Sequence, residues 1–324
     1  MKRLCLSLLT LCLLSACTTL PETNTADERL IDLYEREWAW RQGIQGYEKD
    51  GDGYTRNGGW PDVSPEGYAK RFAYWEDALA QLDLIAVDEL SNEGRINAAV
   101  FRRIVESNAN NARYRTYEAP LNSDTFFWSS LGSGRGLEEL ADYERHISRM
   151  RSLPAHFEQH IANMRAGLAR GYTPAAVTLQ GRSATIDVYL QDGEANPFFA
   201  PAKRMPASIG AEDAARIKKE LLASIHDDIV PAYRRLKVFF DETYLPNARQ
   251  SLGASELPDG EAFYRSQILE YTTLDLSPQE IHNRGLAEVA RIKQSMLDII
   301  LELEFDGGLP EFFEFLRTDP QFYA

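Results

Sequence analysis

The clearest pattern of hydrophobic and polar positions runs from Ser277 to Glu304. Apolar residues recur there with a period near 3.6, which is typical of an α-helix with one buried face. They are Ile281, Leu286, Val289, Ile292, Met296, Ile299, Ile300 and Leu303. The sequence Ser277-Pro-Gln-Glu280 is a typical helix start, because the serine can accept a first-turn N–H and the glutamate can reach back to the cap. Gly307-Gly308 is predicted to end the helix.

Similar apolar spacing predicts helices along most of the chain. The predicted helical ranges are 27–45, one opened by Ser64-Pro65, 87–114, 137–170 interrupted at Pro154, 173 to 190, 211–243 kinked at Pro231, and 260–272. In the helix over 87–114 the apolar stripe is Leu90, Ile96, Val100, Ile104 and Val105. Segments 47–61, 118–135 and 192–206 are predicted to be irregular. Since no segment alternates convincingly like a strand, we predict an all-α fold of about ten helices with irregular connections.

The amino terminus has the pattern of an exported lipoprotein. Lys2 and Arg3 precede an apolar stretch, Leu4–Leu14, that is too short to span a bilayer. Leu14-Ser-Ala-Cys17 then resembles a lipobox, which predicts cleavage before Cys17 and attachment of lipid to that cysteine. The alternative is an ordinary signal peptide with a chance cysteine. We therefore expect a signal peptide over 1–16, a polar tether over 17–26 and a helical domain over 27–324, anchored to the outer membrane because Thr18 and not Asp follows the cysteine.

Charge and cysteine content narrow the function classes. The chain has 35 basic and 49 acidic side chains, a formal net charge of −14. Loss of residues 1–16, with two basic residues and no acid, would leave 33 against 49, or −16. Such a chain is repelled by phosphate backbones, so nucleic acid is disfavoured as a partner. Cys5 and Cys12 would leave with the signal peptide, so beyond Cys17 no thiol remains for a disulfide, a zinc site or a nucleophile.

Three local patterns suggest chemistry that the spacing does not support. His156 and His160 share a helix face and could hold a metal, but Glu158 lies about 200° around the axis from His156 and cannot act on a water bound by that pair. We predict a solvated or core-edge histidine pair, with an adventitious metal site as the alternative. Asp50-Gly-Asp-Gly-Tyr54 lacks the calcium-loop ligands at its third alternate and twelfth positions, so a flexible acidic turn is favoured. Gly132-Ser-Gly-Arg-Gly136 is predicted to be a turn or hinge.

Several longer blocks carry a resemblance to a known family. The blocks are Tyr244-Leu-Pro-Asn-Ala-Arg249, Leu257-Pro-Asp-Gly-Glu-Ala-Phe-Tyr264, the segment Thr272–Ile292, and Phe312-Phe-Glu-Phe-Leu-Arg-Thr-Asp-Pro-Gln-Phe-Tyr323. They resemble the bacterial family of unknown function DUF885, strongly after Tyr244 and weakly from Asp27 to there. The resemblance implies a zincin-type metallopeptidase of about twice this length, with its zinc-binding H-E-x-x-H helix in the carboxyl-terminal half.

That helix motif is absent from this sequence. The resemblance therefore implies the amino-terminal half of the family's unit, with zinc expected in the missing half and no catalytic or metal-binding residue in this chain. The full protein would hydrolyse peptides, and this half would supply a wall or lid of the cleft. Alone, it is expected to be inactive.

Candidate substrate-binding residues come from the same blocks. Tyrosine and arginine side chains can orient a peptide backbone or carboxylate by hydrogen bonds, although most such tyrosines are simply part of a core. The candidates are Tyr244, Arg249, Tyr264, Arg265 and Tyr271, together with His282, which is either a polar residue near the helix cap or part of a wall facing the missing half.

A different class of function stays open from the sequence. The chain could be a non-catalytic helical scaffold or binding lipoprotein that is complete at this length. A complete domain covers its own apolar stripes, whereas a half domain leaves a contiguous apolar patch larger than the few hundred square ångströms usual for a monomer. We expect any such patch near Leu309–Tyr323.

Overall fold

The computed structural model describes residues 25–323 except 133 and 135. The predicted signal peptide, the lipidation site Cys17 and most of the predicted tether lie outside this range. In the described part, no helix combines the length and the apolar character needed to cross a membrane.

The predicted all-α class is confirmed: helices dominate, accompanied by a single short hairpin in the described residues. The longer helices are α1 (Ala26–Ile44), α2 (Pro65–Asp83), α3 (Asn92–Arg113), α4 (Leu140–Arg170), α7 (Ala211–Ser224), α8 (Val230–Phe239), α9 (Gly260–Thr272), α10 (Pro278–Glu302) and α11 (Leu309–Thr318). Two single-turn helices, α5 (Ala176–Leu179) and α6 (Ala200–Lys203), lie between α4 and α7. The hairpin strands are β1 (Tyr47–Asp50) and β2 (Gly53–Arg56).

Helices α1 to α3 pack around one apolar cluster. Its buried side chains include Leu30 of α1, Trp75 of α2 and Val105 of α3. A carboxylate is enclosed among them: Glu37 is only 1% exposed and accepts hydrogen bonds from Arg41 Nε at 3.0 Å and from Trp75 Nε1 at 3.2 Å. Because a buried charge is costly unless it is paired, these two donors are what allow Glu37 to lie in the cluster.

The predicted stripe of α3 is partly wrong. Ile96, Val100 and Ile104 are 65%, 54% and 40% exposed, whereas Phe101 and Val105 are buried. The adjacent face carries small residues that let α3 approach its neighbours closely, with Ala109 and Ala112 among them. Both faces have helical spacing, so only the packing partner decides which one is covered.

A second, larger apolar cluster surrounds α4, α7 and α8. Its largest side chains are fully buried aromatic rings, including Trp128, Tyr143 and Tyr233. The Tyr233 hydroxyl donates to the carbonyl of Trp128 at 2.7 Å, which fixes the irregular segment before α4 onto α8. The tyrosine hydroxyl and the tryptophan carbonyl are thereby both hydrogen-bonded, as expected for buried polar groups.

The two predicted proline breaks have different outcomes. Helix α4 runs without interruption past Pro154, contrary to the prediction, with Leu153 and Phe157 both buried beside it. Burial on this face outweighs the local cost of the proline. The predicted helix over 211–243 is divided by a π-helical turn, Ile225–Ile229, just before Pro231, and a second π-helical turn, Phe240–Tyr244, follows α8.

Two segments differ in kind from the prediction. The predicted loop over 47–61 contains the antiparallel pair β1–β2, in which Tyr47 lies opposite Arg56. Polar residues dominate both strands, so the alternation that signals a strand is missing. The predicted helix from Thr173 to about Leu190 is instead α5 followed by a 3₁₀ helix, Arg182–Leu190, with Gly181 at φ 74° between them.

Candidate functional site

Tyr244, the first predicted substrate-binding residue, lies inside the larger cluster. It is fully buried, with its ring centroid 5.9 Å from those of Phe239 and Phe240. Burial, followed by the proximity of Tyr172, raises the pKa of the Tyr244 hydroxyl. That hydroxyl has no hydrogen-bond partner among the described residues, and the arrangement places it as a core residue and not on a surface.

Arg249 joins two irregular segments. Its Nε donates to the carbonyl of Thr173 at 2.7 Å, and its Nη1 donates to the carbonyls of Ser251 and Gly253 at 2.9 and 3.0 Å. In return, its own carbonyl accepts from the N–H of Ala176 at 2.8 Å. Several charge-assisted hydrogen bonds to backbone carbonyls are typical of an organising role, so Arg249 sets the path of the chain into α9.

Tyr264 and Arg265 are brought together in an open groove between α3 and α9. The groove has a volume of about 1200 Å³ and is also lined by Arg103, Arg113 and Asp275. Tyr264 is 43% exposed, and no described carboxylate forms an ion pair with Arg265. The groove therefore offers a ligand a guanidinium, which donates hydrogen bonds, and a phenol, which can both donate and accept them.

Tyr271 and His282 lie outside this groove's lining. Tyr271, at the end of α9, is 81% exposed, and His282 is an exposed residue in the first turns of α10. The helix start predicted before His282 is confirmed, since Ser277 accepts from the Glu280 N–H at 3.2 Å and the Glu280 carboxylate accepts from the Ser277 N–H at 2.8 Å. Neither side chain has a geometry that assigns it a ligand.

The predicted buried stripe of α10 is wrong: in this helix only Ile300 is buried. The stripe itself is present, but it faces outward. The exposed fractions are 59% for Leu286, 66% for Val289, 42% for Ile292, 37% for Met296, 48% for Ile299 and 61% for Leu303. These residues follow one another at intervals of three and four, so they form one continuous apolar ridge.

Helix α11 extends this apolar surface. Phe313 is 38% and Leu316 is 36% exposed, and Phe322 beyond the helix is 48% exposed. The turn between α10 and α11 is held by aromatic contacts, with the Phe305 ring centroid 5.1 Å from that of Phe312 and 5.3 Å from that of Phe315. We call the exposed apolar side chains of α10 and α11 the apolar ridge. Single exposed apolar residues are ordinary, but a continuous row of them marks a contact surface.

The histidine pair on α4 lies at the edge of the core, with His160 buried and His156 half-buried. His156 Nε2 and His160 Nε2 lie 3.2 Å apart, which is hydrogen-bonding distance, and the rings stack on Trp60 and Phe127. Burial, then the neighbouring Arg149, lowers the pKa of His156 to about 4. Burial, then His156, lowers that of His160 to about 3. Within the described residues, no group of three or more His, Cys, Asp or Glu side chains is placed to hold a metal ion.

One polar pocket was not predicted from the sequence. It lies between the β1–β2 hairpin and α4, has a volume of about 430 Å³, and is lined by Arg56, Arg145, His146 and Arg149 among others. The spacing of Arg145 and Arg149 was a usable signal, because residues four apart lie on one helix face. The third arginine comes from a strand that was predicted to be a loop.

Comparison with known proteins connects this geometry to a family. The sequence profile described as "Bacterial protein of unknown function (DUF885)" matches residues 37–324. No curated protein matches the chain. Among solved structures, one described as "the putative lipoprotein from Colwellia psychrerythraea" is similar with a TM-score of 0.75 and 19% sequence identity. The match covers 92% of this chain and 55% of that one, so this chain spans about half the length of the solved relative.

Proposed function

The chain belongs to the bacterial DUF885 family, and on that premise we propose that it is the helical part of a larger, lipid-anchored hydrolase. In this proposal the apolar ridge docks onto further polypeptide of the same unit. The groove between α3 and α9 then becomes part of a substrate cleft enclosed by the two parts. Attachment to the outer membrane through Cys17 and hydrolysis of peptides both belong to the proposal.

The exposed apolar ridge is the observation that carries the proposal. Helix α10 has 25 residues, yet in the folded chain it buries a single side chain, Ile300. An amphipathic helix gains most of its stability by burying its apolar face against a neighbour. A solvent-exposed row of Leu, Ile, Val and Met side chains forgoes that stabilisation at each position. A covering partner restores it, and we assign that role to polypeptide of the kind that makes the solved relative nearly twice as long.

The groove supports a role in substrate contact. Tyr264 and Arg265 lie on α9, and Pro278, the first residue of α10, also lines the groove, so the groove borders the amino-terminal end of the helix that carries the ridge. The guanidinium of Arg265 and the phenol of Tyr264 are suited to the carbonyls and carboxylates of a peptide. Zinc chemistry of the kind that the family resemblance implies is not fitted by the described residues. We assign it to the added polypeptide and give no described residue a catalytic role.

A cysteine-labelling experiment tests the docking directly. The sequence has no cysteine after Cys17, so a single introduced thiol reports one position. We would replace Val289 by cysteine on the ridge and, as a matched control, Ala287, which is also exposed but lies about 200° around the helix axis from Val289. Both variants are treated with a polar maleimide in isolated cell envelopes.

We expect the Val289→Cys thiol to be protected from the maleimide in the native envelope and the Ala287→Cys thiol to be labelled. In denaturant, both should be labelled to the same extent. Equal, rapid labelling of both thiols in the native envelope would mean that nothing covers the ridge and would refute the proposal. It would favour the alternative of a helical scaffold or binding lipoprotein that functions with its ridge uncovered.

The enzymatic part of the proposal has its own test. The reading frame that follows the codon for Ala324 is determined, and the chain is expressed with and without the polypeptide it encodes. We expect an H-E-x-x-H sequence there, and peptide hydrolysis that a chelator abolishes only in the longer product. Chelator-sensitive hydrolysis by the 324-residue chain alone would contradict this assignment.

A further inference from the structure

The pocket between the β1–β2 hairpin and α4 carries more positive charge than its surroundings neutralise. Three arginines line it, namely Arg56, Arg145 and Arg149, against one carboxylate, Asp142. The Asp142 Oδ1 is already paired with Arg145 Nη2 at 2.5 Å, and its Oδ2 accepts the backbone N–H groups of 138 and 139, both at 2.9 Å. Two of the three guanidinium charges therefore face the pocket without a carboxylate, in a chain whose net charge is −14.

Arg149 is held in place by groups that leave most of its donors unused. It is 9% exposed, and its guanidinium carbon lies 3.7 Å from the centroid of the Trp60 ring. One nitrogen, Nη1, donates to the carbonyl of Gly59, and the Trp60 Nε1 donates to the carbonyl of Arg149 at 2.7 Å. No described carboxylate forms an ion pair with it. A guanidinium has five N–H donors, so the stacked and anchored group still presents several to a ligand.

Arg56 approaches the same space from the hairpin. Its guanidinium carbon is 4.8 Å from the centroid of the Tyr47 ring, and it has no ion pair with a described carboxylate. Burial, then the positive charge of Arg56, lowers the pKa of Arg149 to about 10. Two guanidinium groups that repel each other across a pocket are stabilised by an anion placed between them.

Two further features fit a bound ligand. His146, only 7% exposed, lines the pocket with an Nε2 that has no hydrogen-bond partner among the described residues. Burial, then Arg149, lowers the pKa of His146 to about 4, so the ring is neutral at physiological pH and adds no further repulsion. Gly136, with a φ of 74°, also lines the pocket, and nothing lies within 4 Å of the position that its Cβ would occupy, so the lining is uncrowded there. A buried polar atom without a partner calls for a bound water or ligand group.

We propose that this pocket binds a small ligand through an oxyanion group, a carboxylate or a phosphate, held between the guanidinium groups of Arg56 and Arg149. Both anions match the planar fork of arginine, and the volume of about 430 Å³ suits a small organic molecule. The site uses residues of α4 and the hairpin, so it is independent of the ridge and the groove.

Isothermal titration of the full chain, purified in detergent, tests this site with two probes. Inorganic phosphate and succinate are titrated separately at constant ionic strength, with sodium chloride as the background salt. The variants are Arg56→Gln, which removes one exposed guanidinium, and Arg149→Lys, which keeps the charge and removes the fork. The matched control is Arg95→Gln, since Arg95 is an exposed arginine of α3 that is not part of the pocket lining.

We expect saturable binding of at least one probe, weakened about tenfold or more by Arg56→Gln and by Arg149→Lys and unchanged by Arg95→Gln. Tighter binding of phosphate assigns a phosphate ligand, and tighter binding of succinate assigns a carboxylate. Near-ultraviolet circular dichroism confirms that Arg56→Gln, at an exposed position, keeps the native fold. Absence of binding by both probes, or an equal loss in the Arg95→Gln control, would overturn the proposal.

Discussion

The three histidines of α4 predict a specific sensitivity to acid. His146, His156 and His160 are enclosed by the fold, and burial lowers their pKa values from 6.5 to about 4, 4 and 3. In the unfolded chain the same imidazoles titrate near their ordinary pKa, about 6.5. The unfolded state therefore binds more protons than the folded state between these values, so stability is fully present above the unfolded pKa and is lost as the pH falls towards the folded pKa.

The magnitude follows from the two pKa values. For His146, a folded pKa of about 4 against 6.5 unfolded gives a loss of about 2 kcal/mol between about pH 7.5 and about pH 5. The pKa values of carboxylates such as Asp62 and Asp142 are lowered from an ordinary value of 3.8, so their contribution to stability is lost mostly below this window. A loss between these two pH values thus reports the histidines.

The assay is urea denaturation followed by far-ultraviolet circular dichroism at the two pH values. In His146→Gln, the loss of unfolding free energy on acidification should be smaller than in the wild type by about 2 kcal/mol. The control is His226→Gln. His226 is exposed and hydrogen-bonded to Asp192, which raises its pKa. Its contribution to stability is therefore present at low pH and is lost as the pH rises, which is the opposite direction to that of His146. An equal acid-dependent loss in His146→Gln and the wild type would refute the reasoning.

Two further predictions compare matched substitutions. Arg249→Met should lower the unfolding free energy by about 2–4 kcal/mol in urea denaturation, because three backbone carbonyls lose a charged donor. The control Arg265→Met, at an exposed position, should stay within about 0.5 kcal/mol, and equal effects would contradict the organising role of Arg249. Gly167→Ala should cost about 1–3 kcal/mol, since its Cβ would lie 2.6 Å from the carbonyl oxygen of Glu118. Gly285→Ala in α10, where nothing lies within 4 Å, should instead raise the thermal midpoint by an amount equivalent to about 0.5–1 kcal/mol; a destabilised Gly285→Ala would show that this face of α10 is already packed.

The sequence alone determined which segments are helical where local signals were strong. The capping box at Ser277 and Glu280, and the bounds of α9 from Gly260 to Thr272, follow from residues within a few positions of one another. Local capping and period-3.6 spacing act within one helix, so they can be read without knowing any neighbour. The all-α class follows in the same way.

Tertiary structure decided which apolar faces are covered and which polar residues meet. The stripe of α10 was identified correctly from its spacing, but its exposure depends on whether another element packs there, and periodicity contains no such information. The same limit applied to Ile96 and Val100 of α3. Tyr244 and Tyr264 have the same side chain, yet one is fully buried and the other is 43% exposed.

The arginine pocket is the clearest example of a feature that the sequence could not predict. Arg56 and Arg149 are separated by more than ninety positions in the chain, and they meet only because a polar hairpin lies against α4. Their charges are fixed by residue type, whereas the lack of a neutralising carboxylate is a property of the assembled pocket. A sequence fixes what each side chain can do chemically, but burial and pairing, which set its pKa and its availability to a ligand, depend on distances that only the folded chain defines.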